Sequence, residues 1–334
     1  MNLLPPGLPR LAPAKIAVSI GLAAAALFSL GFYVYWHGAA WATVRLESPR
    51  SLLICAVGML GAWAIVGEIF RITTMQVGRT LGYWESRALA VVGVAIDTMF
   101  PLHGGAAFRG FYLRQRHGLH LAAFVATILG YNVLRLFAAA ILAFAASLWL
   151  AIGQSDRSWG LEACLWVAGA CIAGAVTACS VSAAAARGIL PAPVLGIINA
   201  FHEGWAAILG SRGFLFRMFL LTVAQLVCET IAVWGAWAAV GVELGPPSAA
   251  LVTCFAILAG LAGLTPNGLG VTELVTVAVG SAVAVEPAHG IAASLLARGV
   301  NLSLIAIATP IAIAILGLGR WQTSNQQPMP PQIP

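Results

Sequence analysis

Residues 249–284, AALVTCFAILAGLAGLTPNGLGVTELVTVAVGSAVA, decide the fold of this chain. The segment is apolar on both sides of an interruption at 265–270, which contains Pro266, Gly268 and Gly270. A helix that crosses the hydrocarbon core needs about 20 consecutive apolar residues, and Pro and Gly in the middle of such a run break the helix. The segment therefore predicts two short helices joined by a turn.

A second apolar segment, residues 88–102, is interrupted in a similar way. It is too short for a full span, contains Pro101, and is soon followed by Gly104 and Gly105. Non-helical backbone at membrane depth is tolerated only where protein covers it or where it lines a wet cavity. The two broken segments are therefore predicted to form a polar cleft together.

The composition indicates that lipid surrounds most of the chain. Of the 334 residues, 60% are hydrophobic and only 8% are charged, whereas a soluble domain has about 25% charged residues. The mean hydropathy is +0.93. The net charge of +6 comes mainly from arginines at the ends of apolar runs, which fits anchoring at headgroups. No basic patch with interleaved aromatic residues is found, so nucleic-acid binding is not predicted.

Apolar runs long enough to cross the bilayer predict about six full spanning helices, near residues 15–36, 51–70, 119–150, 161–186, 214–240 and 288–318. The first is longer than a signal-peptide core of about 7–15 residues and is predicted to be retained. The third is long enough to be tilted, or broken near Asn132. Residues 194–212 predict a helix on the membrane surface. The fold class is an all-α polytopic membrane protein with two Pro/Gly-broken hairpins.

The charges of successive loops predict the orientation. Basic residues concentrate in segments 1–15, 71–87, 103–118 and 187–217, and the alternate loops are mainly acidic. Because cytoplasmic loops carry an excess of Lys and Arg, both termini are predicted to be cytoplasmic. The broken segments then enter from opposite faces, as in an inverted-repeat transporter with its site between the repeats. If the 265–270 turn reaches the cytoplasm, the second segment is instead two ordinary spans.

Ionisable side chains at membrane depth are costly unless they are paired or hydrated, so each is a candidate for a site. The candidates within apolar segments, with one neighbouring amide, are Asp97, Arg135, Glu229, Glu273, Arg298 and Asn301. Structural alternatives exist. Glu229 follows Gln225 by one turn and could simply tie two helices together, and Arg135 could pair with Asp97.

Two charged residues adjoin the breaks. Arg109 lies four residues after Gly105, and Glu273 lies three after Gly270. A break exposes backbone N–H groups that bind anions, and arginine binds phosphate through paired hydrogen bonds. A phosphate-bearing lipid headgroup is therefore a candidate ligand. No nucleotide-hydrolysis, metal or hydrolase motif is found, so neither a metal nor a cofactor is predicted.

These residues carry a resemblance to a known family. The stretch 264–273, LTPNGLGVTE, followed by 292–299, AASLLARG, resembles the P-x-G-G-x-G-x-x-E … A-x-x-L-x-x-R pattern of the flippase-like membrane domain. That domain is named for the transmembrane region of lysylphosphatidylglycerol synthases. The stretch 100–118, FPLHGGAAFRGFYLRQRHG, resembles another segment of the same family. One departure is that Asn267 and Leu269 flank Gly268, where the family often has adjacent glycines.

The resemblance covers roughly residues 15–318 and implies one membrane domain, residues 1–320. Residues 321–334 are rich in Gln and Pro and are predicted to be a disordered cytoplasmic tail. It assigns substrate binding to the matched positions Gly105, Arg109, Pro266, Gly268, Gly270, Glu273 and Arg298. The candidates for a polar cleft or for coupling are Asp97, Arg135, Glu229 and Asn301. The arginines would attract phosphate, and the carboxylates would pair with them or carry a coupling proton.

The function implied by the resemblance is translocation, or assistance in translocation, of a phospholipid or polyprenyl-linked glycan across the cell inner membrane. The expected partners are membrane lipids or a lipid-linked glycan, and a glycosyltransferase or lipid-synthesis enzyme. Because the sequence ends at Pro334 without the aminoacyl-transferase domain of the synthases, we expect a stand-alone member without that enzymatic activity. The alternatives are a lipid-modifying transferase with Asp97 or Glu273 as its base, and an accessory subunit of a glycosyltransferase.

Overall fold

The computed structural model describes residues 45–76, 78–99, 104–119, 121–153, 212–261 and 268–317, and a few positions between 162 and 169. The regular structure of these residues is helical. The helices are α1 (Pro49–Gln76), α2 (Tyr83–Met99), α3 (Gly104–His117), α4 (Leu121–Gly153), α5 (Arg212–Ala239), α6 (Pro246–Leu261), α7 (Val271–Ala282) and α8 (Pro287–Leu316).

Four helices are long and apolar enough to cross a membrane: α1, the Thr127–Ile152 part of α4, α5 and α8. They correspond to four of the six predicted spans and confirm the all-α polytopic class. Helix α4 runs without a break through Asn132. The predicted spans 15–36 and 161–186 lie outside the described residues, apart from those few positions. So do the tail and all but the last residue of the predicted surface helix 194–212.

Both broken segments form helical hairpins. In the first, α2 and α3 run antiparallel, because Gly105 lies against the carbonyl oxygen of Gly93 while Tyr112 reaches back to Glu85. In the second, α6 packs against α7, and a Cβ added at Gly268 would lie 3.4 Å from the Cα of Gly260. The helices on the two sides of each interruption therefore pack against each other, as predicted, and the connecting residues 100–103 and 262–267 lie outside the described residues.

Helices α1 and α5 form the most extensive helix contact among the described residues, and they run antiparallel. At one end, the N–H of Glu47 donates to the carbonyl oxygen of Ala239 at 3.0 Å. Toward the other end, Ile69 packs in one cluster with Met218. The start of α1 thus meets the end of α5, and the end of α1 meets the start of α5.

Glycines allow α1 and α5 to approach closely. A Cβ added at Gly58 would lie 2.6 Å from the carbonyl oxygen of Cys228, and one added at Gly235 would lie 2.8 Å from that of Ser51. In lipid, little hydrophobic force drives helices together, so packing of small residues against a neighbouring backbone provides much of the attraction. The contact therefore depends on these positions having no side chain.

Helices α1–α4 and α5–α8 are two copies of one arrangement. Their lengths are 28, 17, 14 and 33 residues in the first copy and 28, 16, 12 and 30 in the second. Helix α2 packs against α8 as α6 packs against α4, and α1 contacts α2 as α5 contacts α6. Because the equivalent helices α1 and α5 are antiparallel, the copies form an inverted repeat.

The two ends of this bundle differ in charge. At one end, Arg116 donates to the carbonyl oxygen of Leu316, the last residue of α8, at 2.7 Å, and Arg79 lies beside Gly118. The opposite end brings together the loop after α5 and the loop before α8, whose charged residues are Glu243 and Glu286. The segment around the start of α1 lies at the same end and adds Glu47 and the contrary basic residues Arg45 and Arg50. The basic and acidic loops predicted from the sequence are thus at opposite ends.

We expect the arginine-rich end to face the cytoplasm, because positively charged loops are retained there. In Arg79→Cys, an impermeant thiol reagent should label the protein only after the membrane is permeabilised, whereas Glu243→Cys should be labelled without that treatment. Both positions are exposed. The parent protein, in which Cys55 and Cys254 are buried, is the control. Labelling of Arg79→Cys from outside would reverse the orientation.

Gly58→Ala should destabilise the protein, because the added methyl group meets backbone atoms of α5 that cannot rotate away. Overpacking of this kind typically costs about 1–3 kcal/mol. Gly299→Ala is the matched control, since that helical glycine is exposed and a Cβ there has no neighbour within 4 Å. Thermal unfolding in detergent measures both, and equal melting temperatures would contradict the close α1–α5 contact.

Candidate functional site

A cavity of about 450 Å³ lies between the two repeats, and each of the eight described helices contributes to its walls. Six residues predicted for the site line it: Asp97, Arg109, Arg135, Glu229, Gly268 and Asn301. Gly105, Gly270, Glu273 and Arg298 lie behind the wall, in hydrogen-bonded groups with residues that line it or adjoin it. Pro266 lies outside the described residues. The two broken hairpins therefore do meet at one cavity, in which these charged and polar side chains stand among mostly apolar walls.

Asp97 joins the two helices of the first hairpin. Its Oδ1 accepts a hydrogen bond from the N–H of Gly105 at 2.8 Å, and its Oδ2 accepts one from Nη2 of Arg109 at 3.3 Å. The carboxylate thus lies at the start of α3, where the unpaired N–H groups and the helix dipole favour negative charge. A side chain at Gly105 would collide with the Gly93 carbonyl and with Asp97 itself.

Arg109 is buried between this carboxylate and an aromatic ring. Its guanidinium carbon lies 4.8 Å from the centre of the Phe70 ring, and its side chain is only 10% exposed. The Nε of Arg109 has no hydrogen-bond partner. A buried donor of this kind costs about 1–3 kcal/mol when it is left unsatisfied. Arg109 therefore has hydrogen-bonding capacity that Asp97 does not use.

Glu273 has the equivalent place at the second hairpin. Its side chain is 4% exposed. Its Oε2 accepts from the N–H of Gly270 at 2.6 Å, and its Oε1 accepts from Nε of Arg298 at 2.7 Å. Gly270 has φ 82°, a left-handed conformation that favours glycine. The ion pair therefore joins the start of α7 to the long helix α8.

Thr272 connects this ion pair to the cavity. Its hydroxyl lies 3.0 Å from the carbonyl oxygen of Gly268 and 3.1 Å from Oε2 of Glu273, and it accepts from Nη2 of Arg298 at 3.3 Å. Thr272 and Gly268 line the cavity, whereas Glu273 and Arg298 do not. The second ion pair is thus one side chain away from the cavity.

A third polar group crosses between α4 and α5. Nη2 of Arg135 donates to Oε1 of Glu229 at 2.6 Å, Nε2 of Gln225 donates to the same oxygen at 2.9 Å, and Tyr131 donates to Gln225 at 2.6 Å. Arg135 therefore pairs with Glu229 and not with Asp97, which is already bound by the first hairpin. Nε of Arg135 and Oε2 of Glu229 are buried without a partner.

The long helices α4 and α8 each carry one asparagine and one arginine at equivalent positions, but in opposite order along the chain. Counted from Leu121 and Pro287, Asn132 and Arg298 are both the twelfth residue of their helices, and Arg135 and Asn301 are both the fifteenth. Each helix thus presents one amide and one guanidinium toward the same region. The inverted repeat explains why residues so far apart in sequence meet there.

A different acidic residue holds the far end of the first hairpin, at the arginine-rich end and outside the four spans. Oε1 of Glu85 accepts from the Tyr112 hydroxyl at 2.6 Å and lies 2.9 Å from Nε2 of His117. Burial opposes ionisation, but these contacts and the N–H of Gly82 lower the pKa of the Glu85 carboxyl below its ordinary value. The first hairpin is therefore closed by carboxylates near both ends.

Three neutral side chains of the site were not predicted from the sequence as site residues: Tyr131, Asn132 and Thr272. Charged groups stand out in an apolar sequence because they are costly in lipid, whereas neutral polar groups carry a weaker penalty. Their positions do contain a signal. Asn132 lies three residues and Tyr131 four residues before Arg135, so they share a helix face, and Thr272 precedes Glu273.

One comparison with known proteins identifies the chain. The family described as Lysylphosphatidylglycerol synthase TM region matches residues 14–308. The match includes both hairpins, the three ion pairs of the site and most of α8. No curated protein matches the chain with significance.

Arg298→Gln should destabilise the protein more than the double variant Glu273→Gln/Arg298→Gln. The single change leaves a buried carboxylate without its partner, which typically costs about 3–5 kcal/mol, whereas neutralising both partners removes the buried charges together. Arg71→Gln is a matched control, because its partner Glu68 is partly exposed and such pairs contribute about 0–1 kcal/mol. Thermal unfolding in detergent measures all three. A double variant as unstable as Arg298→Gln, or more so, would contradict the pairing.

Proposed function

The chain belongs to the lysylphosphatidylglycerol synthase TM region family, and we propose that it translocates, or helps to translocate, a phospholipid or a polyprenyl-linked glycan. Membership of this family makes it a membrane protein of lipid and envelope synthesis. The proposed location is the cell inner membrane with both termini in the cytoplasm. The proposed partners are the transported lipid and an enzyme that makes or uses it.

The observation that supports this proposal is the polar cavity between the two inverted repeats. A headgroup that crosses the bilayer must avoid the cost of placing charge in hydrocarbon. A cavity with charged side chains provides a polar environment at that depth, while the acyl or prenyl chains stay in the lipid. In transporters with inverted repeats, the substrate binds at the interface between the repeats, which is where this cavity lies.

We assign phosphate binding first to Arg109. It lines the cavity, and its Nε has no partner. A phosphate could form the paired hydrogen bonds that guanidinium groups favour and would compete with Asp97 for this side chain. Arg298 is the second candidate and reaches the cavity through Thr272. Gly105, Gly268, Gly270 and Pro266 remain proposed binding positions, where the phosphate would compete with Asp97 and Glu273 for the N–H groups of Gly105 and Gly270.

The remaining polar residues of the proposed site keep the cavity hydrated or couple it to a proton. They are Asp97, Arg135, Glu229 and Asn301. A carboxylate whose arginine is taken by phosphate loses its counter-charge, and protonation then removes the cost of leaving it buried. Asp97 and Glu273 would be in that situation when phosphate binds Arg109 or Arg298.

The inverted repeat supports a mechanism of alternating access. Each hairpin contacts the long helix of its own repeat, and the two hairpins are related by the axis between the repeats. Movement of one hairpin would open the cavity toward one leaflet, and the equivalent movement of the other would open it toward the opposite leaflet. An accessory protein would need a similar polar cleft and differs in not moving lipid by itself.

Filling the cavity should stop translocation without removing any polar group. Ala256→Phe and Ala297→Phe place a ring in the cavity wall, and we expect each to slow lipid movement about tenfold or more, because the walls must repack around the ring. Ala306→Phe is the matched control, since Ala306 is on α8 and exposed at the bundle surface.

The measurement uses purified protein in proteoliposomes that contain fluorescent phospholipids or a fluorescent polyprenyl-phosphate glycan. Equal rates for the cavity variants and Ala306→Phe would show that the cavity is not the path. If the unaltered protein moves neither class of lipid, the translocation proposal is wrong and the accessory reading takes its place.

A further inference from the structure

The charges on the described walls of the cavity cancel. The charged residues that line it are two guanidinium groups, Arg109 and Arg135, and two carboxylates, Asp97 and Glu229. Each arginine is paired with one of the carboxylates. The Arg298–Glu273 pair behind Thr272 is balanced in the same way. In a region of low dielectric, a balanced site disfavours a ligand with net charge, because nothing on the walls compensates that charge.

The central ion pair has unused capacity for both kinds of hydrogen bond. Arg135 keeps one buried donor, Nε, and Glu229 keeps one buried acceptor, Oε2, and neither has a partner. The end of a Glu side chain rotates over a broad range, so a small rotation would present this oxygen to the cavity. A ligand that satisfies both groups must carry an acceptor and a donor close together.

The size of the cavity is compatible with a small headgroup. A volume of about 450 Å³ has room for a phosphate with a short amino alcohol. A pyrophosphate brings more than one negative charge, and the described walls have no unpaired cationic group to balance it. The charge balance therefore favours a headgroup with one phosphodiester over a pyrophosphate-linked oligosaccharide.

We propose that the headgroup bound in this cavity is a small zwitterion, one phosphodiester followed by an ammonium group with N–H donors, as in phosphatidylethanolamine. This inference rests on the proposed translocation and narrows its substrate. The phosphate oxygens accept from Arg135 and Arg109, and the ammonium donates to Glu229. Arg135 and Glu229 are then the residues that determine headgroup specificity, although they lie on α4 and α5 and outside the two broken hairpins.

Three other lipids lack one of the required features. Phosphatidylglycerol has donors but brings a net negative charge into a balanced site. Phosphatidylcholine is neutral overall, but its quaternary ammonium has no N–H to donate to Glu229. A polyprenyl-pyrophosphate oligosaccharide brings the negative charges of its pyrophosphate into the balanced site. These lipids test charge balance and donor capacity separately.

The experiment compares the four lipids in proteoliposomes that contain the full chain, with the fluorophore on an acyl chain so that each phospholipid headgroup is unaltered. We expect phosphatidylethanolamine to move about tenfold faster than phosphatidylcholine or phosphatidylglycerol. Phosphatidylcholine loses the charged hydrogen bond to Glu229, and phosphatidylglycerol loses the balance of charge. The oligosaccharide carrier should not move above the protein-free rate.

Glu229→Gln tests the specificity role directly. It replaces the carboxylate that would pair with the ammonium by a neutral amide and leaves the cavity with one extra positive charge, so the rate for phosphatidylglycerol relative to phosphatidylethanolamine should rise about tenfold. Glu286→Gln removes the same charge from an exposed position outside the cavity, and its rate ratio should equal that of the unaltered protein.

A second variant guards against misfolding of the first. Arg135→Gln/Glu229→Gln keeps the cavity balanced, so it should lose the preference for phosphatidylethanolamine over phosphatidylcholine without gaining one for phosphatidylglycerol. A variant that merely disturbs packing would slow all lipids in proportion.

The outcomes separate this inference from the proposed function. Equal rates for phosphatidylethanolamine and phosphatidylcholine, a faster rate for phosphatidylglycerol in the unaltered protein, or movement of the oligosaccharide carrier would each overturn the zwitterion inference and leave translocation standing. Absence of movement for every lipid in the unaltered protein would overturn translocation, and this inference with it.

Discussion

An ionised side chain within the hydrocarbon region must be paired or hydrated, and this constraint organises the described part of the molecule. Asp97 with Arg109 holds α2 to α3, and Glu229 with Arg135 holds α4 to α5. A third pair holds α7 to α8. Because each pair lines the cavity or lies one side chain behind it, the groups that cannot face lipid also define the polar space between the repeats.

The two hairpins use one local design with different connections. In each, the N–H of a glycine at the start of a short helix donates to a carboxylate that also binds an arginine. In the first hairpin all three groups belong to the hairpin. In the second, the arginine is on the long helix α8. The same set of contacts thus joins the two helices of the first hairpin to each other and attaches the second hairpin to α8.

Much of this arrangement follows from the sequence. Hydropathy and the Pro/Gly breaks predicted the four described spans and both hairpins, and the cost of buried charge singled out Asp97 and Glu229. The partner of Arg135 could not be derived, because it depends on the register of α4 against α5. The equivalence of Asn132 and Arg298 also required known helix starts, since the surrounding sequences are not similar.

The balance of charge in the cavity bears on how the membrane potential acts on the protein. A charge that crosses the whole field exchanges about 2.3 kcal/mol with it for each 100 mV. Paired guanidinium and carboxylate groups that move together contribute opposite amounts, so the voltage does almost no net work on them. In the proposed mechanism, reorientation of these paired walls without a bound proton would therefore be electrically silent. The net direction of the proposed lipid movement would then come from a chemical gradient, from a coupled proton or from the removal of the lipid on one side.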